Sequence, residues 1–168
     1  FVTDNASYMK KCFSTILHGL LPKCIHMTCW AHILSLVGDT FRINMKTCDF
    51  FIGSMKSIFS KAPKRRIRYI VYMRENDVNS DIFLPLMPII TRWNSWLEAV
   101  IYHSKHIYHY AGFIELEMKD VGSTVELQKL SKMLKGEKLG ELHKELNFIS
   151  SHSDSLIITL TAFEGHTF

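Results

Sequence analysis

The chain has 168 residues, of which 47% are hydrophobic and 21% are charged, a balance typical of a folded domain and not of a disordered segment. No run approaches the roughly 18 apolar residues that a membrane-spanning helix needs, and no basic segment followed by an apolar one marks a secretory signal. The formal net charge of +4 is uneven, since residues 1–75 contain 12 Lys/Arg and 4 Asp/Glu, whereas residues 76–168 contain 8 and 12.

The first part of the chain alternates between predicted strands and helices. A strand ends near residue 3, and apolar residues at three- and four-residue spacing predict a helix over residues 6–20. Residues 24–29 are apolar in alternation, without Gly or Pro, which favours a second strand. Helical spacing returns over residues 31–41. This alternation predicts an α/β front end, with helices packed on the faces of a sheet.

The remainder of the chain is predicted to be mostly helical. The spacing of apolar residues indicates helices over residues 49–60, 63–75, 93–113, 124–135 and 137–151. Pro63 suits the first turn of the second of these helices. Residues 76–91 are expected to be irregular because they contain two prolines and two asparagines. The apolar run at residues 156–160 fits either a strand or a short buried helix.

Four cysteines are expected to be reduced thiols, because 168 residues can form a core without disulfides and no secretory signal is visible. Four side chains of the types that bind zinc nevertheless lie within nine consecutive residues, namely Cys24, His26, Cys29 and His32. Structural zinc normally uses two ligand pairs separated by a longer loop. We therefore favour a buried cysteine with a hydrogen-bonded histidine over a zinc site.

The densest positive charge is a cluster made of Lys61, Lys64, Arg65, Arg66 and Arg68. A cluster of this kind can neutralise phosphates and release their counterions, which gives affinity for nucleic acid without base recognition. A solvated helix face would have the same composition. The cluster alone favours neither interpretation.

Three further features have both a chemical and a structural interpretation. Asp4 follows a strand, where a carboxylate can bind Mg²⁺, but Asp before a helix is also an ordinary N-cap. Arg92 and Trp93 could contact phosphate and stack on a base, or belong to a helix start whose tryptophans anchor the core. The histidines of the aromatic stretch over residues 102–110 recur every third residue, and we expect them to line a solvated face.

Three segments, taken together in order and spacing, resemble the hAT superfamily of DNA transposases. They are Val2-Thr3-Asp4-Asn5-Ala6-Ser7-Tyr8-Met9, Cys29-Trp30-Ala31-His32-Ile33-Leu34-Ser35-Leu36 and Thr91-Arg92-Trp93-Asn94-Ser95. The resemblance implies an α/β fold, with a partial ribonuclease-H-like core over residues 1–47 that leads into a mostly α-helical insertion over residues 48–168. In that family the core presents three acidic residues that bind two Mg²⁺ ions.

The resemblance also implies roles for particular residues. Asp4 would be the second acidic residue of the triad and a Mg²⁺ ligand. Cys29 and His32 would form the C-x-x-H element beside the active site, with His32 positioning nearby groups or DNA. Arg92 and Trp93 would be the Arg-Trp element that contacts DNA, and the Lys61–Arg68 cluster would follow the DNA backbone.

The implied function is that of a fragment of a hAT-type transposase or of a DNA-binding protein derived from one. The parent reaction would be Mg²⁺-dependent DNA cleavage and strand transfer, but the fragment alone is expected to be inactive, because the other two acidic residues belong to segments outside it. The alternatives are a domesticated nuclear regulator without nuclease activity and a decayed element. We expect DNA as partner, no membrane association, self-association through regions outside this chain, and a nuclear location.

Overall fold

The structure, a computed structural model, describes residues 1–76, 84–89 and 94–165, and 79% of these residues are helical. Two short strands pair in parallel, with Val2 opposite Met27 and Thr3 opposite Thr28. Within the described residues, none of the helices combines the length and the apolar character needed to cross a membrane.

The front of the chain consists of short elements. In order they are β1 (Val2–Thr3), α1 (Ser7–Cys12), a π-helical turn (Phe13–Leu17), α2 (His18–Leu20) and β2 (Met27–Thr28). The predicted helix over residues 6–20 is therefore present, with a π-helical interruption. The predicted strand over residues 24–29 is reduced to two residues.

Longer helices follow, and they confirm the helical predictions for the rest of the described chain. Their bounds are α3 (Trp30–Asn44), α4 (Lys46–Phe59), α5 (Pro63–Asn76), α6 (Ser95–Asp120), α7 (Val125–Met133) and α8 (Gly136–Gly165). Pro63 begins α5, as predicted. The ambiguous run at residues 156–160 lies inside α8, so it is helical.

The prediction of an α/β fold with a ribonuclease-H-like core is wrong for the residues that the structure describes. Two strands of two residues each form too small a sheet for helices to cover on both faces. Consequently α1, the π-helical turn and α2 contribute no buried residue, and Leu20 is 71% exposed. The alternation over residues 24–29 was the misleading signal, because only its last part pairs with β1. The division at residues 1–47 and 48–168 stays a prediction.

The hydrophobic core lies between the helices after residue 45. Each of α4, α6, α7 and α8 contributes fully buried side chains, among them Phe51, Phe113, Leu127 and Leu146. The most extensive helix–helix contact joins α6 to α8. Burial of these apolar faces, at roughly 25 cal/mol per Å², is the main term that stabilises the helical body.

A carboxylate of α8 caps the beginning of α4. Met45, which precedes α4, supplies no side-chain cap, and the Cys48 amide donates instead to Glu145 Oε2 at 2.7 Å. A negative charge at a helix N-terminus satisfies a free N–H group and interacts favourably with the helix dipole. Glu145 therefore ties α8 to α4 by a polar contact at the margin of the core.

Two of the three histidines of this stretch of α6, His103 and His106, are buried and His109 is half-buried, so the prediction of a solvated histidine face is wrong. His103 is 1% exposed, and its Nδ1 lies 2.7 Å from the Tyr110 hydroxyl. Burial raises the pKa of Tyr110 well above its usual value, so this hydroxyl stays protonated and shares a hydrogen bond with the neutral imidazole. On the neighbouring helix, Tyr69 places its hydroxyl 3.0 Å from that of Tyr102. These polar groups satisfy one another inside the core, which is why the burial is tolerated.

We expect the free energy of unfolding to fall as the pH falls below 6.5, because burial, with a contribution from His106, lowers the pKa of His103 to about 3. The unfolded state binds a proton near pH 6.5 and the folded state does not, so the stabilisation is complete above pH 6.5 and is lost towards pH 3. Each pH unit within that window costs about 1.4 kcal/mol. Urea unfolding at pH 7.5 and pH 5.0 should therefore differ by about 2 kcal/mol from this residue alone.

The matched variant is His103→Gln, which keeps an acceptor for Tyr110 and does not titrate. Its unfolding free energy should change about 2 kcal/mol less than that of the wild type between the two pH values. An identical pH dependence in the two proteins would contradict the assignment to His103.

Candidate nucleic-acid interface

Asp4 lies at the carboxyl end of β1 and takes part in a local turn. Its side chain is half-buried, and Oδ1 accepts a hydrogen bond from the Ala6 amide at 3.2 Å. Because Thr3 pairs with Thr28, the residues that follow them, Asp4 and Cys29, leave the two strands at the same edge. The Cys29 amide donates to the Thr3 carbonyl at 2.7 Å and extends this pairing.

Cys29 and His32 lie at the beginning of α3. Cys29 is the residue before the helix, and its carbonyl accepts the Ile33 amide at 3.2 Å. His32 lies in the first turn and is half-buried. All four cysteines are free thiols. The other histidine in this region, His26, forms a hydrogen bond with Thr3. Its Nε2 atom lies 2.7 Å from Thr3 Oγ1.

The residues present do not fit the Mg²⁺ ions that the resemblance implies. Over residues 1–76, 84–89 and 94–165, no group of three or more His, Cys, Asp or Glu side chains is arranged to hold a metal ion. Asp4 contributes one carboxylate, and one of its oxygens already accepts a backbone N–H group. We therefore derive no metal-dependent step from these residues.

A cleft of about 340 Å³ lies between α3, α4 and the start of α6. Its lining in the described part of the chain includes His32, Arg42, Asp49, Lys56 and Trp96, whereas Asp4 and Cys29 lie outside it. Asp49 Oδ1 accepts both Arg42 Nε at 2.8 Å and Trp96 Nε1 at 3.0 Å. Lys56 Nζ donates to the Pro88 carbonyl at 2.6 Å. The polar groups of this cleft therefore serve mainly to join its walls.

Of the segment over residues 91–95 that contains the Arg-Trp element, the structure describes only Asn94 and Ser95. Arg92 and Trp93 lie outside the described residues, so their predicted contact with DNA stays a prediction. Asn94 is buried and precedes α6, and its Nδ2 donates to Thr161 Oγ1 at 3.3 Å. Trp96 is 7% exposed, and its bond to Asp49 makes it an anchor between α6 and α4.

The five cations of the basic cluster surround the connection from α4 to α5, and we call them the basic turn: Lys61, Lys64, Arg65, Arg66 and Arg68. Lys61 adopts a positive φ of 52°, which reverses the chain between the two helices. Lys61 and Lys64 are exposed, and neither forms an ion pair with any residue that the structure describes. As far as residues 1–76, 84–89 and 94–165 are concerned, these two ammonium groups are open to a ligand in solution.

Two arginines of the basic turn complete the end of α4. Arg65 Nη1 donates to the Ile58 carbonyl at 2.7 Å, and Arg66 Nε donates to the Phe59 carbonyl at 2.9 Å. The last carbonyls of a helix lack partners within the helix, and cationic side chains there also interact favourably with its dipole. Both arginines are half-buried, so part of their role is structural.

The buried carboxylate of Glu117, on α6, binds two arginines of the basic turn. Arg65 Nε donates to Glu117 Oε2 at 2.8 Å, and Arg68 donates through both Nε and Nη2, the latter at 2.9 Å. Glu117 is 1% exposed, whereas the side chains of Arg65 and Arg68 are 15% and 36% exposed. Burial raises the pKa of Glu117, but the bonds from Arg68 and Arg65 outweigh it and hold that pKa below its usual value.

Glu117 was not among the predicted site residues, although the sequence around it contains a signal for a role. Tyr110, Phe113, Ile114 and Glu117 follow at three- and four-residue spacing, so they share one face of α6. The first three are fully buried. An acidic residue on an apolar stripe needs a cationic partner, because an unpaired buried charge is costly. The sequence does not show which Lys or Arg side chain is the partner of Glu117.

Comparisons of the chain with family models, with curated proteins and with solved structures give no match. The assignment of a function therefore depends on the residues themselves, and the basic turn is the feature whose chemistry is best defined.

We expect Glu117→Gln to lower the free energy of unfolding by about 2 to 4 kcal/mol, because it leaves two partly buried guanidinium groups without their counter-charge. Glu115→Gln is the matched control, since it removes the same charge from the same helix. Glu115 pairs with Lys135 at 3.0 Å, but both side chains are about 60% exposed. Its loss should cost at most about 1 kcal/mol. Equal losses in urea unfolding would contradict the importance of the Glu117 contact.

Proposed function

We propose that this chain is a DNA-binding segment of a nuclear protein derived from a hAT-type transposase, and that it contacts the DNA backbone through the basic turn. The observation that supports this most directly is the exposure of Lys61 and Lys64 beside Arg66, with no ion pair to the two lysines from the described residues. The three sequence segments that resemble the family support the origin of the protein, and the charge supports the contact.

The charge balance of the basic turn favours a polyanion. Two of its five cations, Arg65 and Arg68, pair with the buried carboxylate of Glu117, and Asp120 acts on Arg68 from the same helix. The surface therefore keeps a positive excess, which lies on the exposed lysines. Each phosphate that a lysine neutralises releases condensed counterions, so binding of this kind depends steeply on salt and little on base sequence.

DNA binding without cleavage is the alternative that the described residues favour for this chain. Two-metal cleavage needs several carboxylates that converge on the ions. Asp4 is the single acidic residue of this kind that the sequence analysis assigned, and its turn with Ala6 gives it an ordinary local role. Mg²⁺-dependent cleavage and strand transfer would thus require acidic residues in addition to Asp4.

The direct test is the salt dependence of binding to duplex DNA, measured by fluorescence anisotropy. The double variant Lys61→Gln/Lys64→Gln should reduce the slope of log K against log salt by about 1.8, because each lost phosphate contact removes about 0.9. The control variant Lys129→Gln/Lys132→Gln removes the same charge from exposed positions of α7 and should keep the wild-type slope. A slope that is unchanged in the first variant, or lowered equally in both, would exclude the basic turn as the interface.

A second test concerns catalysis. We expect the wild-type chain to leave duplex DNA intact in the presence of Mg²⁺ or Mn²⁺, because the described residues do not converge on a metal ion. Asp4→Asn retains an oxygen that can accept the Ala6 amide, so it preserves the turn while it removes the charge. Reproducible cleavage by the wild type that this variant abolishes would show that Asp4 belongs to a working site.

A further inference from the structure

The Glu117 carboxylate accepts hydrogen bonds from guanidinium N–H groups of Arg65 and Arg68. Arginine usually binds a phosphate through the same groups. Arg68 uses Nε and Nη2 in a two-pronged contact with the Glu117 carboxylate. Arg65 uses Nε on the same carboxylate and Nη1 on the Ile58 carbonyl. Carboxylate and phosphate oxygens bind the guanidinium fork with the same geometry, so the two compete for it.

The competition favours Glu117. The carboxylate is 1% exposed and is held on α6, so its bonds to the arginines, above all to Arg65, are screened less by salt than a contact made at the surface. A phosphate on DNA would have to compete from solvent, where screening weakens its attraction. Arg66 differs, since its Nε bond goes to a neutral backbone carbonyl and it forms no ion pair with the residues that the structure describes.

Resting on the DNA binding proposed above, we infer that Glu117 acts as an internal competitor for phosphate, which withholds Arg65 and Arg68 from DNA and confines the backbone contacts to Lys61, Lys64 and Arg66. The buried carboxylate thereby sets the number of phosphates that the basic turn neutralises. It limits both the affinity and the salt sensitivity of the interface.

The test compares wild type, Glu117→Gln and Glu115→Gln in binding to a duplex of random sequence. Glu117→Gln releases two arginines, 15% and 36% exposed in the wild type, so they can turn outward. The slope of log K against log salt should steepen by about 1.8, so that affinity falls about tenfold more than in wild type between about 50 and 200 mM salt. Glu115→Gln raises the net charge equally, on the exposed face of the same helix, and should keep the wild-type slope.

The outcomes separate this inference from the proposed function. If wild type binds DNA with a slope that Lys61→Gln/Lys64→Gln lowers, and Glu117→Gln behaves like Glu115→Gln, the role of Glu117 is overturned while the interface stands. If wild type does not bind DNA, or if its slope is unaffected by the lysine variant, both proposals fail.

A measurement on the wild-type protein serves if Glu117→Gln does not fold. The arginine Nε–H resonances can be followed by NMR during titration with duplex DNA. The Arg66 resonance should shift on binding, whereas those of Arg65 and Arg68 should stay in place because Glu117 holds them. Shifts of the Arg65 and Arg68 resonances as large as that of Arg66 would overturn the inference.

Discussion

One buried carboxylate, that of Glu117, sets the relation between α5 and α6. A charge that is 1% exposed is tolerated only when cations meet it, and Arg65 and Arg68 do so from the first turns of α5. Their direction towards the core leaves Lys61 and Lys64 as the outward cations of the basic turn. The contact therefore adds to the packing and the Tyr69–Tyr102 hydrogen bond that join α5 to α6, and it also determines which cations lie at the charged surface.

The helical body could be predicted from the sequence, because each helix carries its own local signals. Apolar residues such as Phe51 and Met55 recur at helical spacing, and Pro63 begins α5 where its fixed backbone angle fits. The positions of β1 and β2 were predicted, but their short extent could not be, because the extent of a strand depends on its partners as well as on alternation. For the same reason the run at residues 156–160 was undecided until its position in α8 was known.

The candidate site was predictable in composition but not in geometry. The five cations of the basic turn were predicted as a site because they are the densest positive charge in the sequence. Their partner is 52 residues from Arg65 and 49 residues from Arg68, a separation that no local pattern spans. The histidines of α6 show the same limit, since threefold spacing does not reveal whether a face meets water or the core. His103 is buried because the Tyr110 hydroxyl and the ring of Phe51, 5.3 Å away, surround it.

The cap that Glu145 provides has a consequence for how the helical body opens. Since the carboxylate on α8 completes the first turn of α4, local opening of α8 also releases the Cys48 amide and weakens the start of α4. The two helices are far apart in sequence, yet this contact leads us to expect that they open together. The hydrogen-exchange rate of the Cys48 amide thus reports the detachment of α8, even though the exchanging proton belongs to a different helix.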